Sequence, residues 1–491
     1  MICQKCETVS KARGLSFEVA PARAKWLLIW TVLCAVGAWN LSYAEGSGTK
    51  PPLRNEIIEH GPFIQIPGPN PLISPGDSSA WDGAVVEAGN VFKDEQTYYF
   101  YYHGTPRDKN KWPRGGYRIG VASAPHPLGP WKKHDANPII DLGPVGSWKG
   151  LHVACPAVIR EEGDKYYMWF GGMKEDTGEF GRWDIALATA SHPLGPWKEY
   201  QGNPVLEDFG FVGGVVKVDG KYYMYNVYPI GAESPDSGPI CLATADKPEG
   251  PWKKYENNPV IPGGEWGAWD DGGFSEAGML YHDGVFHCFY SGVKWGKLES
   301  IGYAYSFDGY NFIKYSGNPV APRENSPDTH AFAEVHALYE PPFHYVYHTL
   351  RYLSDGGGKE YLGVQILVNQ KPFSLQMPIL NLSSLGAGKT TSLADSPPVS
   401  LSHITRLALT ARCTYSEKAK SRIRVHVRSS PDGLNYDTTD LSTFDNVFKQ
   451  GQTVQKTFEL DTDVRFIKVL VENLDDSDSV SDVQITATLG G

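Results

Sequence analysis

Apolar and polar positions alternate along most of this chain in short runs interrupted by tight turns, the period of two that antiparallel strands require. The runs come in pairs. Val91 to Asp94 is answered by Tyr98 to Tyr101, Val158 to Glu161 by Tyr166 to Trp169, and Val215 to Val218 by Lys221 to Met224. Met279 to His282 is answered by Val285 to Phe289, and Ala337 to Glu340 by His344 to Tyr347. Asp219-Gly220 and Asp283-Gly284 fill two of the turns, and this dipeptide suits the two-residue hairpin because both central positions need positive φ. A third segment follows each of the first four pairs: Ile119 to Ser123, Ile185 to Thr189, Ile240 to Thr244 and a diverged Ile301 to Tyr305. Three of these lead into Gly-Pro-Trp, ending at Trp131, Trp197 and Trp252. Asn-Pro then recurs at Asn70, Asn137, Asn203, Asn258 and Asn318, at intervals of 67, 66, 55 and 60 residues.

Such a repeat is too short to build its own core, so neighbouring copies must bury one another's faces. Copies of three or four short strands that do this by closing into a ring are propeller blades, which leave little edge exposed. The pattern therefore predicts an all-β chain with a five-bladed β-propeller over residues 55–370. Beyond about residue 375 the repeat stops and simple alternation takes over, as in Leu407 to Ala411, Ile423 to Arg428, Phe466 to Glu472 and Val483 to Thr488. This predicts a C-terminal antiparallel β-sandwich over residues 375–491.

Charge narrows the partners. The 491 residues carry 45 Lys+Arg against 56 Asp+Glu, a net charge of −11, which gives no general attraction for nucleic acid or an anionic membrane. A neutral, hydroxyl-rich ligand is indifferent to that sign. At the N-terminus, basic residues from Lys5 to Lys25 precede an apolar run from Trp26 to Trp39 and the small-x-small tripeptide Ser42-Tyr43-Ala44. The run is short for a membrane span and reads as a signal peptide, residues 1–44, implying a secreted or periplasmic protein with no membrane attachment after cleavage. Cys155, Cys241, Cys288 and Cys413 remain beyond it in apolar surroundings without metal-ligand spacing, and are expected to be buried free thiols.

The Gly-Pro-Trp, the Asn-Pro-aliphatic and the hairpin Asp219-Gly220-Lys221-Tyr222-Tyr223-Met224 together resemble the five-bladed propeller glycoside hydrolases of family 43 and its relatives, families 117, 32 and 130. The resemblance covers some 315 residues (55–370). It implies an exported glycosidase that cleaves a plant or algal oligo- or polysaccharide with two carboxyl groups in an axial funnel, and no required cofactor. A structural calcium in the axial channel is a further expectation from the family. Family 43 places its base in an Asp-Pro pair of the first blade and a second Asp in the second blade. Neither is present, and Cys155-Pro156 stands at the second position.

Aligning the strand before each hairpin puts Glu87, Glu276 and Glu334 at one equivalent position, opposite Ala154 and Val212. In a ring of five, the blades bearing these glutamates are consecutive. Crowded carboxyls cannot all ionise, and one is held protonated, as a general acid must be. The candidate catalytic residues are Glu276 as acid, Asp82 or Glu87 as base, with Glu334 and Asp271. Asp82 and Asp271 follow tryptophans at strand entrances, where an aspartate also serves to cap a turn. Trp81, Trp269, His152, His330 and His336 are candidate sugar contacts, and His336 also resembles the blade 5 histidine that in some family 43 enzymes helps hold a cation. The repeated Trp131, Trp197 and Trp252 read as blade packing. A non-hydrolytic, lectin-like propeller is the alternative. Sugar and linkage, stereochemical outcome and oligomeric state are not specified by these patterns.

Overall fold

The computed structural model describes residues 62–174, 182–228, 237–294, 298–323, 329–352 and 360–491. The leader segment and residues 55–61 lie outside them. Every sheet pairing but one among the described residues is antiparallel, and the chain is all-β. Val85–Asp94, Thr97–Thr105, Arg118–Ala124 and Lys132–Lys133 form the first sheet, in that order. The same pattern recurs from His152–Glu161 to Lys198–Glu199 and from Phe211–Val218 to Lys253–Lys254. It recurs again from Phe274–His282 to Ile313–Lys314. The last repeat, Thr329–Glu340, Phe343–Tyr352 and Glu360–Val368, takes its fourth strand from the other end of the chain, Ile64–Pro67. The fourth and fifth repeats also meet through a parallel bridge, Glu299 to Ala331.

The second strands explain how the sheets stack. Thr97–Thr105 is buried along nearly its whole length, so both faces are covered and Tyr98 to Tyr102 form a continuous aromatic run rather than an alternating one. A buried Tyr or Trp needs a partner for its polar tip, and here that partner is in the next sheet. Tyr101 donates to the carbonyl of Pro193 at 2.7 Å, Trp169 to Pro248 at 3.0 Å and Tyr225 to Gly309 at 2.8 Å. Tyr347 of the last sheet donates to Pro127 of the first at 2.8 Å. The first strands likewise touch one another in chain order, and the fifth touches the first. The Gly-Pro-Trp indoles pack backwards onto the preceding sheet, Trp131 on Tyr347, Trp197 on Tyr101 and Trp252 on Trp169.

The Asn-Pro asparagines share one role. Asn137 accepts from the Val121 amide at 2.9 Å and donates to the Val121 carbonyl at 3.0 Å, extending the ladder by a side chain. Asn203, Asn258 and Asn318 do the same for Leu187, Leu242 and Tyr303. Asn70 reaches Val364 of the last repeat, so the first copy of the motif belongs to the fifth sheet.

The C-terminal region forms two further sheets. One runs Ser374–Leu385, Val480–Gly490, Arg406–Tyr415, Thr453–Leu460, and the other Val399–Ser400, Phe466–Asn473, Ile423–Ser430, Ser442–Asp445. Alternate residues such as Leu407, Leu409, Val425, Val427, Val469 and Ile485 are buried in one apolar cluster, which continues into Ile66, Val364 and Ile366 of the fifth repeat. The four cysteines among the described residues are free and buried.

A second repeated unit lies at the strand entrances. Trp81 stacks on Tyr102 at 5.6 Å, and the buried Asp82 pairs with Lys133 at 2.5 Å while accepting from the Tyr102 hydroxyl at 3.1 Å. Trp269, Tyr290, Asp270 and Lys314 repeat this arrangement, with stacking at 5.8 Å and a 2.6 Å ion pair. In the second repeat Lys149 pairs with Glu199, the charges exchanged, and Phe170 stands for the tyrosine. A pair that tolerates reversal serves the architecture. Removing one member strands a buried charge, so Lys133→Met should cost about 3 kcal/mol in urea unfolding, and adding Asp82→Asn should restore most of it. An additive double variant would show that the pair does not couple.

Candidate functional site

The five first strands share an irregularity. Each carries a β-bulge, between Ala88 and Val91, Ala154 and Ala157, Val212 and Gly214, Phe274 and Ala277, and Ala333 and His336. Bulges bend a strand and redirect side chains. At two of them the bulged residue is in the left-handed region despite having a side chain, Cys155 at φ 54° and Glu334 at φ 45°, a costly conformation found where structure serves a site. Counted back from the last residue of each strand, Glu276 and Glu334 align with Cys155 and Val212, whereas Glu87 is one residue further from its turn and aligns with Ala154. The expected single register of three glutamates is thus corrected to two in register and one displaced. The longer run from Glu87 to its turn compensates, and all three reach the same cavity.

That cavity, ≈ 370 Å³ in volume, opens where the first strands begin. Its acidic lining is Glu87, Glu276, Glu299 and Glu334, with Arg351 as the cation and Tyr117, Trp183 and Phe211 as aromatic walls. The carboxyls are held differently. Glu87 meets His103 Nε2 at 2.9 Å and accepts from the Tyr117 hydroxyl at 2.6 Å. Glu276 is bonded at both oxygens, to the Cys155 thiol at 3.0 Å and to His336 Nε2 at 2.9 Å. Glu334 touches Arg351 at 3.3 Å through one oxygen, and its other oxygen is buried without a partner. Arg351 is shared, bonding Glu299 at 3.1 Å and Glu360 at 2.5 Å as well.

These settings separate the acidities. Burial alone would raise Glu87, but the hydrogen bond and charge of His103, with smaller help from Glu360 and Arg351, bring it down to about 2. Burial pushes Glu334 well above the usual carboxylate range, Arg351 only partly offsets this, and the charges of Glu87, Glu299 and Glu360 add to it. Burial and then Glu87 raise Glu360 to about 8. Burial, followed by the charge of Glu276, also raises the Cys155 thiol, so that it donates to Glu276 as a neutral S–H.

The remaining expected residues lie elsewhere. Asp82 and Trp81 belong to the entrance unit of the first repeat, away from the cavity lining, and Trp269 to that of the fourth. Asp271 accepts from the Gly267 amide at 2.9 Å in a turn. Asp82 and Asp271, expected beside the glutamates, and Trp81 and Trp269, expected as sugar platforms, are not among the residues that line this cavity. His152 supports the wall rather than lining it, accepting from the Tyr117 amide at 3.1 Å and stacking on Trp183, and burial lowers it to about 4. His336 lies behind Glu276. The side chain of His330 is outside the described residues.

Sequence reasoning missed His103, Tyr117, Trp183, Arg351, Glu299 and Glu360. Two of these were within reach of hairpin register, since Glu87 pairs across the ladder with His103 and Ala331 with Arg351. In the cavity lining, His103, Cys155 and Glu276 bring ring nitrogen, sulfur and oxygen within 4.8 Å of one another. Calcium takes six to eight oxygens, so this mixed donor set does not fit the expected calcium.

No family model matches the chain, and no curated protein matches it. Solved structures that resemble it are glycoside hydrolases. A glycosyl hydrolase from Bacteroides ovatus is 15% identical, with 62% of this chain and 93% of that chain covered and a TM-score of 0.46. A family 117 glycoside hydrolase from the marine bacterium Zobellia galactanivorans is 16% identical over 63% and 91% of the two chains, TM-score 0.42. A thermostable family-43 glycoside hydrolase is 21% identical over 57% and 88%, TM-score 0.44.

The raised carboxyls have a consequence for stability. Glu360 binds its proton up to about pH 8 when folded, against an ordinary value of 4.5, so its contribution is full below about pH 4.5 and is lost as pH rises through about 8. Glu87 works oppositely, contributing above 4.5 and losing that contribution as pH falls through about 2. Glu360→Gln should therefore flatten the decline of unfolding free energy between about pH 4.5 and 8, by up to about 1.4 kcal/mol per pH unit for one proton. Parallel curves for the two proteins would refute the assignment.

Proposed function

We propose that the repeats close as a five-bladed β-propeller, with the C-terminal sheets as a sandwich beside it. We further propose that the cavity hydrolyses a glycosidic bond in a plant or algal oligo- or polysaccharide. Support for the ring comes from the head-to-tail contacts of successive sheets, which return from the fifth to the first. One observation carries the reaction: two carboxyls in the same cavity are driven apart in acidity, Glu87 ionised and Glu334 protonated. Glycoside hydrolysis needs that division.

Glu334 then gives its proton to the departing oxygen, and Glu87 activates water or attacks the anomeric carbon. The acid role expected of Glu276 passes to Glu334, because both Glu276 oxygens are engaged while Glu334 keeps one buried oxygen without a partner. Glu276 becomes a fixed third carboxylate that orients substrate hydroxyls. Tyr117, Trp183 and Phe211 offer faces on which sugar rings stack, and two carboxyls suffice without a cofactor. Cys155 at the position of a family 43 aspartate favours a second reading, in which the same cavity binds sugar without cleaving it.

The test is incubation of the purified protein with plant and marine oligosaccharides, with released sugars separated by chromatography. Release is expected, with Glu334→Gln slowing it about 1000-fold and an aryl glycoside, whose leaving group needs no proton, largely spared. Turnover unchanged in Glu334→Gln would remove the acid assignment, and binding without release by any member would leave the lectin-like reading. We also propose export: the mature protein should begin at Glu45 by mass spectrometry, and an exported chain retaining Met1 would refute cleavage.

A further inference from the structure

A second hollow, ≈ 340 Å³ in volume, lies at the entrance of the first repeat. Ser74, Pro75 and Ser78 of the entrance loop, with Ala84, Arg107 and Tyr361, line it. The Ala84 amide bonds the Thr105 carbonyl at 2.9 Å just ahead of the Val85–Asp94 strand. Ala84 therefore stands three residues from Glu87, about 10 Å along an extended chain. On the opposite wall, Tyr361 follows Glu360, which shares Arg351 with Glu334. Both walls are thus continuous in the chain with the proposed reaction centre.

The hollow is preformed. The Trp112 indole donates to the Ser79 carbonyl at 3.1 Å, and Asp77 accepts from the Ser79 amide and hydroxyl, each at 2.8 Å. A Cβ at Gly76 would stand 2.5 Å from an Asp82 oxygen, so the loop is close-packed behind its lining. Concave, largely apolar walls with a few placed polar groups are what a small ligand requires.

Charge sets it apart from the other strand entrances. There the cations are spent: Lys133 on Asp82, Lys149 on Glu199, Lys314 on Asp270, and Lys294 on the carbonyls of Gly267 and Ala268. Arg107 is exposed, and among the described residues its guanidinium makes one hydrogen bond, from Nε to the Gly83 carbonyl at 3.3 Å, and no ion pair. Its terminal nitrogens are left for a ligand, and a guanidinium fork matches the paired oxygens of a carboxylate or sulfate. Residues 107–114 carry Arg107, Lys109, Lys111 and Arg114 against one acid, Asp108, in a chain of net charge −11. A local field of that sign draws anions to this part of the rim.

We propose that this hollow is a subsite for an anionic sugar residue of the substrate, a uronate or a sulfate ester, with Arg107 gripping the charged group and Tyr361 and Pro75 packing against the ring. The inference rests on the glycosidase reading of the adjoining cavity and adds to it that the substrate is an acidic glycan.

The experiment uses the full chain carrying Glu334→Gln, so that binding is read without turnover. Titration calorimetry at low salt compares an oligogalacturonate with its carboxyl-reduced form, and a sulfated galactan oligosaccharide with its desulfated form. One acidic member should bind about 10-fold more tightly than its neutral counterpart, the worth of a hydrogen bond to a charged group, and the pair that shows the preference names that group. The preference should shrink in about 0.5 M salt. Arg107→Gln should abolish it with the neutral affinity unchanged, Arg107→Lys should keep part of it, and melting temperatures report whether each variant folds. Equal affinities within both pairs, or no binding by any member, would overturn the subsite, as would a preference that survives in Arg107→Gln. An equal loss in Lys109→Gln would show a diffuse basic surface in its place, and would also overturn it. Failure of the wild-type protein to release sugar would count against the glycosidase reading alone, because the binding comparison does not depend on turnover.

Discussion

A buried polar tip on a large aromatic ring is the constraint on which the repeat architecture depends. The second strand of each repeat is covered on both faces, so its side chains have no water to turn to, and an unpartnered hydroxyl or indole N–H there costs on the order of 1–3 kcal/mol. Tyr101, Trp169, Tyr225 and Tyr347 meet that demand with a carbonyl of the next sheet. The bond is directional, so it sets the offset at the first three junctions, and the bond from Tyr347 to Pro127 places the last sheet beside the first, while the fourth and fifth sheets meet instead through the parallel bridge from Glu299 to Ala331. The Ile64–Pro67 strand and the Asn70 clamp on Val364 add closure by chain connectivity. With the sheets fixed, the first strands converge, and their bulges decide what faces inward.

Much of this was legible in the sequence because repetition reports architecture. The five Asn-Pro motifs mark the same ladder extension five times, and the Gly-Pro-Trp tryptophans mark the same packing. The entrance aspartates misled for the same reason in reverse. Asp82 looks like a lone acid at a strand mouth, and only its partner Lys133, 51 residues away, with the exchanged Lys149–Glu199 pair, reveals a structural ion pair. The site was legible where function breaks the repeat, at Glu276 and Glu334. His103 and Arg351 could be reached only by reading the pairing across each hairpin, and at Glu87 the residue was legible but its displaced register was not. A bulge changes the count of residues without changing the hydrophobic pattern, so periodicity cannot detect it.

The division of labour among the glutamates follows from one shortage. Arg351 is one guanidinium shared among Glu87, Glu299, Glu334 and Glu360, and in a water-poor cavity four carboxylates cannot all be ionised around it. Protons must therefore be retained, and geometry decides where. Glu87 has private partners in His103 and Tyr117, so it is the carboxylate that can bear its charge without Arg351. Glu334 has only a share of the guanidinium and an oxygen with nothing to stabilise it, so it is among those that keep a proton. His103, Tyr117 and Arg351, none of them an acid or a nucleophile in the proposed reaction, thereby determine which glutamate donates and which accepts. Were His103 removed, Glu87 would lose the largest influence that holds its charge, and the difference in acidity between the two carboxyls would shrink.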